Sequence, residues 1–267
     1  MLKEFGIDSL ELCADKQRFI NYPYAVTYTF NSHGYRDIEW PTDLVNAIWC
    51  FGDSQTMGMG APVEHNWPSL LQQTGRRTIN ISLEGASNRW ITRQAVRVLQ
   101  QVRPKNIVIH WSYFHRSEDV DATKSDRDRR IHVGHVLIED QLQDFADCVQ
   151  QIKQAQGNTN VIHSFIPNFI VSVISKLDAD ILWKDIRASS WPNTITLTDP
   201  KIIKELGRFD VYNSLKEHVD IHSKLDSILK DCVVVEELKK LDSARDGHHY
   251  DRLTAQEFVN QIVKLIK

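Results

Sequence analysis

The sequence contains no apolar run approaching the roughly 18 residues that a membrane-spanning helix needs. It has only four cysteines, Cys13, Cys50, Cys148 and Cys232, far apart and without C-x-x-C spacing. That argues against a disulfide framework; Cys50 and Cys232 lie inside apolar runs, where a thiol behaves as a small hydrophobe. Reduced thiols and a cytoplasmic location are the expectation. The first residues, "MLKEFGIDSLELCADK", lack the long apolar stretch and cleavage pattern of a signal peptide. Formal net charge is −3 and no Lys/Arg stripe marks a face, so neither nucleic acid nor a membrane is expected as a partner. No internal repeat or low-complexity tract is evident.

What is present is the balance of an ordinary globular protein, with 42% hydrophobic and 25% charged residues. A chain of 267 residues accommodates one large domain or two small ones. From Val45 onward, strand-like runs alternate with helical patterns. The strands are expected at Asn46–Phe51, Thr78–Leu83, Asn106–Trp111, Asn160–Ile166 and Cys232–Leu238. Between them, Ser87–Val102 sets Ile91, Ala95, Val98 and Val102 on one helical stripe. Gln141–Ile152 does the same with Leu142, Phe145, Ala146, Val149 and Ile152. A last helix is expected to open on a capping box, Thr254 with Glu257, and to carry Phe258, Ile262 and Ile266 on one face.

Five strands separated mostly by helices predict a parallel sheet covered on both faces, a three-layer α/β/α sandwich. Such sheets bind ligands at the carboxyl ends of their strands. Ser54, Gly85 and Ser112 each follow a predicted strand and would gather there. Residues 1–44 are aromatic and turn-rich, with the bend at Asn31 to Gly34; they read as an N-terminal arm packed on a core domain of residues 45–267.

The stretch "IWCFGDSQTMGMG" leaves a buried strand through Gly52-Asp53-Ser54. Such a turn serves equally to cap the next segment or to hold one hydroxyl at a sheet end. A serine becomes a nucleophile only when a base takes its proton, and that base is normally a histidine oriented by a carboxylate. The loop "ARDGHHYD", Ala244 to Asp251, offers both before the final helix. Asp246 and His249 are three apart with Gly247 between them; residue types alone leave His248 open as the base. The G-x-S-x-G elbow of the α/β-hydrolases is a poor fit, because position 56 is Thr where that motif needs Gly.

Gly52-Asp53-Ser54 after a first strand, Gly85 in "EGASN" after the second, and Asp246-x-x-His249 before the last helix resemble the SGNH/GDSL hydrolases, from about Val45 to the end. The resemblance implies a flavodoxin-like sandwich with a mainly parallel five-stranded sheet, and a serine esterase needing no cofactor or metal. Ser54 would be the nucleophile, His249 the base and Asp246 its orienting carboxylate. The oxyanion would be held by the N–H groups of Ser54 and Gly85. The family's third donor, an asparagine after the third strand, is absent: Ser112, Tyr113 and Phe114 stand there. We expect Asn88, in the Gly85 loop, to replace it. One lost oxyanion donor typically costs about 100- to 1,000-fold in rate, so the departure bears on activity more than on fold.

By family analogy the substrate is a small-molecule or carbohydrate ester, with O-acetyl groups on sugars favoured. Two other functions follow from the same residues: an O-acyltransferase, or a catalytically silent carbohydrate-binding or assembly module. The lead-in "FNSHGYRD" also resembles segments preceding the catalytic domain in some SGNH-like proteins, and Arg36 within it would either line the cleft or form a structural salt bridge. His132 and His135 have metal-compatible spacing without a convincing third ligand, and His163, on a strand, reads as packing. Trp111 and Tyr113 are candidate cleft walls. The mixed-sign run at 126–130 reads as a solvated loop.

Overall fold

The computed structural model describes residues 1–114, 116–118, 130–132, 138–167, 223–236 and 238–267. His135, residues 126–129 of the charge run and the expected loop at 189–200 lie outside these. Strands β1 (Ile48–Gly52), β2 (Thr78–Ser82), β3 (Asn106–Trp111), β6 (Asn160–Phe165) and β7 (Val233–Val234) form one sheet in the order β2-β1-β3-β6-β7. Every pairing in it is parallel, with Ile48 opposite both Thr78 and Asn106, and Asn106 opposite Asn160. A short antiparallel pair, β4 (Arg116–Glu118) and β5 (Arg130–His132), stands apart. The last strand is shorter than its apolar run suggests. After Val234 the Val235 N–H donates to the His163 carbonyl, and among the described residues the ladder goes no further.

Alternation along the strands sends side chains to two cores. Trp49, Phe51, Ile107, Ile109 and Trp111 face helices α4 (Asn88–Gln101) and α5 (Ile138–Ala155). Ile48, Cys50, Val108 and Ile162 face α3 (Trp67–Gln72) and a C-terminal helix, Arg252–Ile262, here α6. That is the three-layer sandwich expected, and its near-continuous Ile/Val/Trp strands follow from burial on both sides. On α4 the buried stripe is Trp90, Ile91, Ala95 and Leu99, while Val98 and Val102 are only half-buried. Fully buried Phe258 packs edge-on against Trp67 at 5.0 Å between α6 and α3, and truncating a core Phe to Ala typically costs about 3–5 kcal/mol. No described helix is long and apolar enough to cross a membrane.

The capping box at Thr254 is not what starts α6. The helix begins at Arg252, with Asp251 as its N-cap. Asp242, from the preceding loop, accepts from the Leu253 N–H at 2.7 Å and the Thr254 N–H at 3.2 Å. A carboxylate from outside the helix therefore satisfies the orphan donors that a local cap would have taken. Thr254 Oγ1 is left to donate to Asp242 and accept from the Leu241 N–H.

Residues 1–44 carry elements their composition did not announce, a 3₁₀ turn at Gly6–Asp8 and helix α1 (Lys16–Asn21), N-capped by Asp15; their last part runs beside β2, where Asp37 Oδ2 accepts from the Asn80 N–H at 2.9 Å. The expected bend is there. Gly34 N–H donates to the Asn31 carbonyl, and Asn31 Oδ1 accepts from the His33 and Tyr35 N–H groups. Val26 and Tyr28 of the arm form a small separate cluster with Met57 and Met59.

Candidate active site

The chain leaves β1 at Gly52 and turns at once into α2 (Ser54–Met57). Asp53 caps that helix, accepting from Gln55 N–H at 2.9 Å, so Ser54 sits at the first helical position with its hydroxyl at the sheet edge. Across the edge, the loop before α6 bends at Gly247, whose φ of +73° an L side chain rarely adopts. The bend folds His249 back over Asp246. Asp246 Oδ1 accepts from the backbone N–H groups of His248 at 2.9 Å and His249 at 3.0 Å, while Oδ2 meets His249 Nδ1 at 2.5 Å. His249 Nε2 lies 2.8 Å from Ser54 Oγ.

Serine, histidine and aspartate thus form one continuous hydrogen-bonded line, with all three side chains buried. An ionised carboxylate can only accept, so it holds the proton on Nδ1 and leaves the Nε2 lone pair facing the hydroxyl. Burial pushes the Asp246 carboxyl up. The charge and hydrogen bond of His249, then the His248 charge, outweigh that and hold it well below the usual carboxylate range.

His248 is not the partner of Ser54. Its ring stands edge-on to His249 at 4.9 Å and 6.5 Å from the Tyr113 ring. Burial, then the adjacent His249, lowers its basicity to a pKa of about 3. Lys240 braces the same loop, donating from Nζ to the Gly247 and His248 carbonyls at 3.3 and 2.8 Å; burial lowers its ammonium to about 8.

The expected oxyanion groups are arranged unequally. Neither the Ser54 nor the Gly85 N–H is engaged by an acceptor among the described residues. Asn88, by contrast, is pinned to the end of β3: its Nδ2 donates to the Ser112 carbonyl at 3.1 Å and its Oδ1 accepts from the Ser112 N–H at 2.8 Å. One Asn88 N–H remains.

Ser112, standing where an asparagine was expected nearby, is fully buried and donates to Asp53 Oδ2 at 2.7 Å. Arg116 Nη1 donates to both Asp53 Oδ2 at 2.5 Å and Ser112 Oγ at 2.7 Å, and its guanidinium lies over the Tyr113 ring. Burial raises the Asp53 carboxyl, but the Arg116 charge and the Ser112 hydroxyl more than reverse it and keep the group ionised. Arg116 was not among the residues that the motifs pick out. The signal was present: an aspartate between a buried strand and a helix needs a cation, and Arg116 is the basic residue that follows β3.

Arg36 does neither thing expected of it. It is buried and, among the described residues, forms no ion pair; it donates instead to the carbonyls of Met57, Gly58, Thr27 and Ala61, stacked on Tyr28. Trp111 is core rather than cleft wall, its Nε1 donating to His163 Nδ1 at 3.1 Å, which also makes His163 a packing residue. Tyr113 is nearly buried between Arg116 and His248. Among the described residues no three His, Cys, Asp or Glu side chains gather as metal ligands, and all four cysteines are free thiols.

No family model and no curated protein matches the chain. Solved structures similar to it include the psychrotrophic esterase EstA from Pseudoalteromonas sp., at 15% identity and TM-score 0.43, covering 82% of this chain and 97% of that one. A GDSL-like lipase from Bacteroides thetaiotaomicron is 12% identical at TM-score 0.44, with coverage of 86% and 91%. A lipase/acylhydrolase from Enterococcus faecalis is 14% identical at TM-score 0.41, with coverage of 82% and 94%. At such identities, and with TM-scores under 0.5, the likeness carries no weight for chemistry.

Proposed function

We propose that this chain is a serine hydrolase that cleaves small acyl esters through Ser54, His249 and Asp246. One observation carries this reading: Ser54 Oγ lies 2.8 Å from the imidazole nitrogen left basic by the Asp246–His249 bond. In the reaction, His249 Nε2 accepts the Ser54 proton as Oγ attacks the ester carbonyl carbon. Asp246 stabilises the imidazolium without taking its proton. The tetrahedral oxyanion is received by the Ser54 and Gly85 N–H groups, with the remaining Asn88 N–H as third donor. Collapse expels the alcohol, protonated by His249. A water, deprotonated in turn by His249, then releases the acid and restores Ser54.

Carbohydrate O-acetyl esters are the substrate class we favour, by analogy with the family the motifs resemble. A silent binding module is the second reading, and Ser112 favours it: the third-donor position is spent on structure, leaving rate to two backbone N–H groups and one residual amide proton. Hydrolysis of p-nitrophenyl acetate decides between them. Ser54→Ala is expected to lose at least about 1,000-fold in kcat. An unchanged rate removes Ser54 from the mechanism, and a folded parent protein that a fluorophosphonate fails to label points to the silent module.

A further inference from the structure

The two halves of the site come from segments 195 residues apart, and something must hold them in register. Direct contact does part of this. The Arg245 N–H donates to the Gly60 carbonyl at 2.8 Å, and a methyl group on Gly60 would sit 3.1 Å from Asp246 Cγ, tighter than an ordinary van der Waals contact, so the two segments pack closely there. The N-terminal arm adds links to each half, and one of its carboxylates reaches both. Asp8 is fully buried; its Oδ1 accepts from Arg245 Nε at 2.9 Å, and its Oδ2 from Arg245 Nη2 at 2.6 Å and Tyr28 OH at 2.5 Å. Tyr28 OH in turn accepts from the Gly60 N–H at 2.9 Å.

Asp8 therefore grips the residue next to Asp246 and, through Tyr28, the segment three residues beyond α2. The bidentate fork fixes direction as well as distance. Arg245 also lies over the Phe19 ring of α1, and Arg18 of the same helix donates to the Ser243 and Ala244 carbonyls, so the arm holds the loop from two sides. Nothing in the Ser54–His249–Asp246 chemistry itself calls for a buried aspartate at position 8.

We propose that Asp8 is a positioning residue for ester cleavage, keying the Arg245–His249 loop to the Met57–Ala61 segment through Arg245 and Tyr28, so that the arm is a working part of the site. This rests on the hydrolase reading above. Positioning matters because displacing a reacting group by about 1 Å can cost on the order of 100-fold in rate.

The test uses the full chain with Asp8→Asn and Tyr28→Phe, p-nitrophenyl acetate as substrate, and the proton resonance of the His249 Nδ1–H as a probe of the Asp246 bond. Both variants are expected to lose about 10- to 100-fold in kcat with KM changed less than about twofold, and to shift or broaden that resonance. Tyr28→Phe removes a single oxygen atom and keeps the ring packing, so it decides the matter if Asp8→Asn does not fold. A folded variant that keeps kcat within about threefold, with the resonance in place, overturns the proposal, even if its melting temperature drops. Ser54→Ala run alongside separates the failures. If it stays active, the hydrolase reading falls and the inference with it; if it is inactive while both arm variants work normally, only the positioning role falls.

Discussion

Two serines follow adjacent strands on the same sheet edge, Ser54 after β1 and Ser112 after β3, and both are buried. Ser54 Oγ meets a histidine whose other nitrogen is held by a carboxylate. Ser112 Oγ is locked between a carboxylate, to which it donates, and a guanidinium, from which it accepts. A hydroxyl that donates to a buried aspartate whose carboxyl is held below its ordinary range is fixed rather than activated, because Asp53 under Arg116 is too weak a base to take its proton. Placement at the end of a parallel strand therefore does not make a nucleophile. The base that reaches the oxygen does.

The comparison breaks most sharply at the hydroxyls themselves. Ser54→Ala should abolish fluorophosphonate labelling and reduce esterase kcat by about 1,000-fold or more, while Ser112→Ala should still be labelled. Labelling that follows Ser112 instead would reverse the assignment. The next effect is on stability. Arg116→Met leaves the buried Asp53 charge without its cation, which typically costs about 3–5 kcal/mol, read as a drop in the urea midpoint. A midpoint close to that of the parent would mean that Asp53 finds another partner or protonates cheaply. Ser112→Ala removes one hydrogen bond to that carboxylate and should cost less, about 1–3 kcal/mol. If it instead matches Arg116→Met, the two are one inseparable unit.

The last effect is on pH dependence. Burial lowers His110 and His163 from 6.5 to about 4, so between those values the unfolded chain binds protons that the folded chain does not. Stability should therefore fall as pH drops from about 6.5 towards 4, before most carboxylates titrate. His110 is held by Ser164 Oγ and Tyr250 OH, and Asp53 pulls its pKa the other way. A melting temperature flat across that window would show that these rings are protonated in the fold after all.

Among the described residues, the arm was the least legible part. Asp8, Tyr28 and Arg36 carry no periodicity, and each looks like an ordinary surface residue until burial is known. Arg36 illustrates why: an arginine in sequence suggests a carboxylate partner, yet its fork here is filled by backbone carbonyls that no motif advertises. The α6 start failed for a related reason, since the capping carboxylate of Asp242 lies 11 residues from Leu253, outside any local signature. By contrast, the β1, β2, β3 and β6 strands were readable almost to the residue, because burial on both faces demands unbroken apolar runs.

By itself, the sequence determined the alternation of strands and helices, the turns at Gly52-Asp53-Ser54 and Gly247, and hence the edge on which the polar groups would collect. These are consequences of side-chain period and backbone preference, which act over a few residues. The family resemblance already implied His249 as the base, and the fold sets it, not His248, against Ser54; tertiary structure alone decided that Ser112 is locked by Asp53 and Arg116, and that Asp8 joins the two halves of the site. Those outcomes depend on hydrogen bonds between groups tens to hundreds of residues apart, whose directions exist only once both cores have closed.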